Sequence, residues 1–113
     1  DSLDRLPYFI YYSVYANGET WPSFTSSSES RPDLRSLSTK AAYAWSVLFP
    51  QSAYAQQLQV DVSALGDRNR GYFAGRYEDA ALGPNKTIKI NTNGIILEAL
   101  LYKARGEQPL IIV

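Results

Sequence analysis

The sequence predicts a mainly α-helical fold that contains an antiparallel helical hairpin, together with a β-hairpin near the N-terminus. Two helical patterns between residues 34 and 65 meet at Pro50, and the connection between them is about three residues long. A third helical pattern covers residues 93–105. An Asn17-Gly18 pair between two segments of extended character is the strongest short signal for a hairpin turn, because both residues tolerate positive φ.

The N-terminal hairpin takes its first strand from Pro7–Tyr15, which is rich in the aromatic and β-branched residues that favour strands. The return strand would cover Glu19–Phe24, with Pro22 marking an edge or the end of pairing. A helix over residues 8–15, with Pro7 in its first turn, is the alternative for the first segment.

The first helix is predicted within Leu34–Phe49. Either Ser36 or Ser38 can cap it, and Pro50 forces it to end by residue 49. Because apolar residues surround much of its final turn, we expect this helix to be buried on more than one side.

The second helix begins after Ser52, which can act as its N-cap. An apolar stripe at helical spacing defines its inner face, and Gly66 would be the residue after its C-cap. The stripe consists of Tyr54, Leu58, Val62 and Leu65.

The third helix is predicted over residues 93–105, and Asn91, Thr92 and Asn93 are all competent to cap its start. Gly106 is the expected residue after its C-cap. Thr87–Ile90 would form a short strand before it, and the apolar residues 110–113 are expected to dock against another surface.

Composition excludes several classes of function. Eleven basic residues balance eleven acidic ones, so the chain lacks the basic excess of a nucleic-acid-binding protein. The absence of Cys and His excludes thiol nucleophiles and the common zinc sites, and we predict neither a metal nor a cofactor. No apolar run could span a membrane. Because the chain contains no Met, Asp1 is not expected to be a translational start.

A pair of carboxylates is the main catalytic device that this composition permits. Glycoside hydrolysis uses one carboxyl as acid and another as base or nucleophile, about 5–10 Å apart. Glu78 is the preferred candidate, since Tyr72, Arg76 and Tyr77 lie near it in sequence. The alternative is that Glu78 pairs with Arg76 or another arginine and stabilises the loop. The other acids considered are Glu19, Asp33, Asp67 and Asp79.

Four segments resemble the C-terminal part of a bacterial family known as domain of unknown function 3131. They are Leu6–Tyr15, Thr39–Trp45, the Gly-Tyr-Phe-Ala-Gly-Arg-Tyr-Glu run Gly71–Glu78, and Asn91–Tyr102. The resemblance covers nearly the whole chain. It implies part of an (α/α) toroid similar to glucoamylase-like and β-1,2-glucanase-like glycoside hydrolases. It also implies an exported, periplasmic or envelope-associated protein linked to polysaccharides.

Residues 1–113 would then be either a single domain or the C-terminal segment of a larger toroid, completed by an upstream segment or a separate chain. The expected function is a glycoside-hydrolase-like domain that acts on or binds a bacterial polysaccharide or glucan, with Glu78 as catalytic acid or base. The alternative is a non-catalytic carbohydrate-binding or scaffolding domain. The expected substrate-binding residues are Trp21, Tyr72 and Tyr77, which would stack on sugars, and Arg76, Asn91 and Asn93, which would bind hydroxyl groups.

Overall fold

The fold is α+β in the computed structural model, which describes residues 1–12, 23–25 and 27–111. These residues form three α-helices and three small antiparallel sheets. The prediction of a mainly α fold forming part of an (α/α) toroid is therefore wrong. The strands outside the N-terminal hairpin were missed because each has only two or three residues and several contain Gly, Pro, Ser or Asn, which show neither alternation nor high strand propensity.

The helices are α1 (Thr39–Leu48), α2 (Ala53–Val62) and α3 (Ile90–Ala104). Helix α1 lies against both of the others. Two predicted caps are confirmed: the Ser38 hydroxyl accepts from the Ala41 N–H at 3.4 Å, and the Ser52 hydroxyl accepts from the Ala55 N–H at 3.2 Å. Each cap satisfies a backbone donor that the helix itself leaves without a partner.

Helix α1 lies within the predicted range Leu34–Phe49. The segment Ser36–Ser38 before it forms strand β3, so Ser38 rather than Ser36 is its cap. Helix α3 begins at Ile90, so the predicted strand Thr87–Ile90 is wrong, and its N-cap is Lys89 without a side-chain cap bond.

The C-terminal end of α3 follows the prediction. Gly106 has a φ of 66°, and its N–H donates to the Lys103 oxygen at 3.1 Å. The N–H of Glu107 donates to the Tyr102 oxygen at 2.9 Å, which completes the pair of bonds that closes a helix through a left-handed residue. The predicted role of Gly106 is confirmed.

The largest sheet has three strands in the order β3, β6 and β7, where β6 is Gly75–Tyr77 and β7 is Pro84–Asn85. The central strand β6 places Tyr77 opposite Ser36 of β3. A two-stranded ribbon of β4 (Gly66–Asp67) and β5 (Gly71–Tyr72) follows α2. Gly66 therefore begins a strand rather than ending α2, which stops at Val62.

The two flanks of the predicted N-terminal hairpin pair with each other. Strands β1 (Tyr11–Tyr12) and β2 (Ser23–Phe24) are antiparallel, with Tyr11 opposite Phe24. The alternative helix over residues 8–15 is therefore wrong where the chain is described, and the predicted Asn17-Gly18 turn lies outside the described residues.

Two apolar cores lie on different parts of this framework. The first packs the three helices together around Tyr43, Val62 and Ile96. The second lies between the N-terminal segment and the central strand β6, and consists of Leu3, Ile10, Leu34 and Tyr77. Of the stripe predicted for α2, Val62 is fully buried, Leu58 and Leu65 pack at the edge of the first core, and Tyr54 is exposed.

Helices α1 and α3 expose apolar side chains on the faces opposite their buried residues. In α1, which lies against both other helices, Trp45 and Leu48 are exposed. In α3, the exposed residues include Ile90 and Leu97. Leu110 and Ile111 are exposed as well, so the expected docking is not seen for the described part of the tail. No described helix has both the length and the apolar character needed to cross a membrane.

Candidate functional site

Tyr77 is a core residue in this fold. Only 1% of its surface is exposed, because the alternation along β6 points its ring towards Leu3, Ile10 and Leu34. The Arg5 guanidinium carbon lies 4.5 Å from the ring centroid and covers it. The ring predicted to stack on a sugar therefore has no face open to a ligand in this conformation.

The hydroxyl of Tyr77 belongs to a polar network that fixes the N-terminal segment to the sheet. It donates to Asp4 Oδ1 at 2.7 Å, and the other carboxylate oxygen accepts from the Lys86 N–H at 3.0 Å. Arg5 Nε donates to Asp4 Oδ1 at 3.1 Å. Burial, followed by the hydrogen bond to Asp4, raises the pKa of Tyr77 to about 12. We refer to Asp4, Arg5 and Tyr77 as the N-terminal network.

Tyr72 and Asn93 are the two predicted site residues that the structure brings into direct contact. Asn93 Oδ1 accepts from the Tyr72 N–H at 2.7 Å, and its Nδ2 donates to the Tyr72 oxygen at 3.1 Å. Nδ2 also donates to the Lys89 oxygen at 3.1 Å. The Asn93 amide thus joins β5 to the first turn of α3, with both of its polar atoms bonded to backbone groups. The prediction that it caps the helix is wrong, because Lys89 is the N-cap residue.

The Tyr72 ring packs on the first core. It makes an edge-to-face contact with Tyr43, with centroids 5.3 Å apart, and the Tyr43 hydroxyl donates to the Tyr72 hydroxyl at 3.3 Å. Burial and this hydrogen bond raise the pKa of Tyr43. Tyr72 is half-buried, with Tyr43 against its phenol and Asn93 on its backbone.

Glu78 is exposed and pairs with an arginine across the sheet. Its Oε2 lies 3.2 Å from Arg35 Nε, and its N–H donates to the Arg35 oxygen at 2.8 Å. The sequence left open a pairing with Arg76 or another arginine, and Arg35 is that partner. Arg76 is exposed and lies two residues before Glu78, on the opposite face of β6 from Tyr77.

The remaining predicted residues lie elsewhere or outside the described part of the chain. Asn91, in the first turn of α3, is exposed, and its Oδ1 accepts from Lys40 Nζ at 2.7 Å. Trp21 lies outside the described residues. The predicted set is therefore divided among a buried core, a backbone bridge and two exposed surfaces, and its ligand-binding roles stay predictions.

An exposed aromatic pair at the C-terminal end of α1 was not among the predicted site residues. The rings of Trp45 and Phe49 stack with centroids 4.8 Å apart and planes at 25°, and they are 51% and 49% exposed. We call these two residues the aromatic platform. Their spacing of four residues, on the side of α1 away from its buried residues, was the pattern in the sequence that could have identified them.

A pocket of about 490 Å³ is lined by residues from all three helices, and two of the lining residues, Ser46 and Pro50, are sequence neighbours of this platform. Its volume falls within the range of about 300–1,000 Å³ that is usual for small-molecule sites. Gln56 lines it and is held by hydrogen bonds from its Nε2 to the oxygens of Ser46 and Pro50. Lys103 and Glu107 supply a cation and a carboxylate from the end of α3.

The fold and this surface define a small α+β domain with an exposed aromatic pair and an arginine-paired candidate acid. The family model described as "Protein of unknown function (DUF3131)" matches residues 1–106. The chain belongs to this family, as its motifs indicated. No curated protein matches the chain, and no solved structure matches it.

Proposed function

We propose that this domain binds a carbohydrate without cleaving it, and that the aromatic platform is the surface on which the sugar stacks. The observation that carries the proposal is the half exposure of two stacked rings at the C-terminal end of α1. The ring faces that Trp45 and Phe49 do not turn towards each other are the surfaces that a sugar would contact, since a sugar has an apolar ring face and a rim of hydroxyl groups. Ser46 and Pro50, which line the pocket, are the sequence neighbours of Trp45 and Phe49.

The surroundings of Glu78 favour the non-catalytic alternative over glycoside hydrolysis. A catalytic acid is held in an apolar site that keeps it protonated, and it faces a second carboxylate across the sugar. Glu78 is instead exposed and has a guanidinium partner, Arg35. Similarity to glycoside hydrolases, with Glu78 as acid or base, is thus a separate proposal that needs an activity measurement.

The proposal is tested by glycan binding with matched aromatic variants. The purified chain would be titrated with a panel of α-glucans, β-glucans and bacterial envelope polysaccharides by calorimetry and affinity electrophoresis. We expect Trp45→Ala to weaken binding about tenfold, which corresponds to about 1.4 kcal/mol. Tyr54→Ala removes an exposed aromatic from α2 and is expected to leave binding unchanged. Equal glycan binding by Trp45→Ala and Tyr54→Ala would contradict the proposal that the aromatic platform binds the sugar.

Catalysis is tested on the same panel by measuring reducing ends and product sizes after long incubation. We expect no cleavage, and we expect Glu78→Gln to bind glycans like the parent chain. Cleavage that disappears in Glu78→Gln would establish the hydrolase proposal and overturn the non-catalytic one.

The proposed ligand is a bacterial polysaccharide or glucan, and the proposed location is the exported, periplasmic or envelope fraction. Both follow from the family resemblance of the motifs. Immunodetection in fractions of the native host tests the location, and recovery of the protein only with cytoplasmic markers would contradict it.

A further inference from the structure

The exposed face of α3 carries a narrow apolar stripe that none of the predicted site residues belongs to. Successive residues of an α-helix are about 100° apart, so residues at spacings of four, seven and eleven lie on one face. The residues at these spacings are Ile90, Gly94, Leu97 and Leu101, which we call the outer stripe. Ile90 is 93% exposed and Leu97 is 66% exposed. The opposite face of α3 is buried and consists of Thr92, Ile96 and Ala99.

A helix that is apolar on two faces is normally covered on both of them. The outer stripe contains no charged residue over roughly 17 Å of helix, at a rise of about 1.5 Å per residue. Water contact along this length is therefore unfavourable, and a partner that covers the stripe would gain the burial of three large aliphatic side chains.

Gly94 indicates that the partner is another helix. Glycine is the least favourable residue after proline inside a helix, so its presence here weakens α3. A Cβ added at Gly94 would meet no atom of the described residues within 4 Å, so nothing in that part of the chain requires a glycine. A glycine within an exposed apolar stripe permits the backbone of a second helix to come close and leaves a space that a neighbouring side chain can fill.

The order of residues along the outer stripe is complementary to itself in the antiparallel direction. If two copies of α3 cross with a two-fold axis between positions 95 and 96, Leu97 of each copy lies over Gly94 of the other. Ile90 then lies opposite Leu101 at both ends. A two-fold interface requires this kind of reciprocal pairing, in which each surface presents both the projection and the space that receives it.

We propose that α3 is a self-association surface, and that its partner is α3 of a second copy of this chain in the antiparallel register just described. The net charge of zero removes long-range repulsion between copies. A single pair of helices of this length buries roughly 1,000 Å², which is small for a specific interface, so the dimer is weak and depends on concentration.

The first experiment measures the molar mass of the purified chain by sedimentation equilibrium from about 5 µM to about 1 mM, a range chosen for a small interface. We expect a reversible monomer–dimer equilibrium. Leu97→Glu should weaken the dimer by at least about tenfold, because two carboxylates would lie over the glycine spaces. Leu48→Glu is the matched control, since Leu48 is 58% exposed on α1, and it should leave the dimer unchanged.

Gly94→Leu distinguishes an effect on dimerisation from an effect on the folding of the single chain. No atom of residues 1–12, 23–25 or 27–111 occupies the space at Gly94, so this variant should retain its circular dichroism spectrum and melt at a higher temperature when dilute. It should nevertheless lose dimerisation, because Leu97 of the partner no longer has a space to enter. A Gly94→Leu chain that dimerises like the parent overturns the proposal.

The register is tested by disulfide cross-linking, for which the absence of cysteine gives a clean background. Ile90→Cys mixed with Leu101→Cys should form a mixed disulfide dimer under mild oxidation, while either variant alone should not cross-link efficiently. Cross-linking of Ile90→Cys with itself would indicate a different register and overturn the proposed one. A chain that is monomeric throughout, or that binds only another protein through this face, overturns self-association.

Discussion

Tyr77→Phe distinguishes a structural role for Tyr77 from the sugar-stacking role that the sequence predicted. The substitution keeps the buried ring and its contact with Arg5 and removes only the hydroxyl that donates to Asp4 at 2.7 Å. A hydrogen bond to a charged group contributes about 1.5–3 kcal/mol. Asp4 retains donors from Arg5 and the Lys86 N–H, so the loss should be at the lower end, about 1.5 kcal/mol.

The assay is urea denaturation of the parent, Tyr77→Phe, Asp4→Asn and the double variant. In a parallel thermal melt of a domain of this size, a loss of about 1.5 kcal/mol lowers the melting temperature by roughly 6 °C. We expect a coupling free energy between the two positions of about 1 kcal/mol, because they are in direct contact. Glycan binding should be the same in all folded variants.

The result that would refute this reasoning is a Tyr77→Phe variant with parental stability and no coupling to Asp4. Weaker glycan binding without a change in stability would contradict it as well, and would support the predicted sugar-stacking role of Tyr77. A control at the same strand is Arg76→Ala, whose exposed side chain should change the free energy of unfolding by less than about 0.5 kcal/mol.

Three further substitutions and one pH dependence follow from the same contacts. Asn93→Ala leaves the Tyr72 N–H and oxygen without their partner and should cost about 2–3 kcal/mol in urea denaturation. Gly71→Ala should cost about 1–3 kcal/mol, because its φ is 117° and the new Cβ would lie 2.6 Å from Asn93 Oδ1. Glu78→Gln should cost at most about 1 kcal/mol, as its ion pair is exposed. Burial raises the pKa of Asp4, but the hydrogen bonds to its carboxylate outweigh burial and hold the pKa below 3.8. The contribution of Asp4 to the stability of the fold is therefore complete above pH 3.8 and disappears as the pH falls through the folded-state pKa. The stability of Asp4→Asn should change less over that range.

Local chemistry allowed the helices and the N-terminal hairpin to be predicted, whereas the other two sheets were not predicted. Ser38, Ser52 and Gly106 have the predicted capping roles, because a cap depends on residues within one turn of it. Strand β3 joins Ser36 to Tyr77, which are far apart in the sequence. Two or three residues give too short an alternation for the sequence to show such a pairing.

The candidate site was harder to predict because side-chain direction depends on where a strand begins. Tyr72 and Tyr77 lie five positions apart and contribute to different apolar cores. Their shared chemistry suggested one ligand surface, but strand β6 turns Tyr77 inward and leaves Arg76 outside. The pairing of Glu78 with an arginine was foreseen as an alternative, and only the sheet identifies Arg35 as the partner.

The N-terminal network also determines the order in which the protein should open. It joins residues 73 positions apart, and the neighbouring bond from Asn85 to Ser2 spans 83 positions, whereas α1 and α2 are neighbours along the chain. Contacts across such long loops form late and are released early, since closing the loop has a large entropic cost. We expect hydrogen exchange to show a first cooperative unit, the segment before Tyr11, that detaches while the helices remain protected. In that partly open state the Tyr77 ring would be uncovered, so any ligand that captures it would bind a minor population rather than the closed fold.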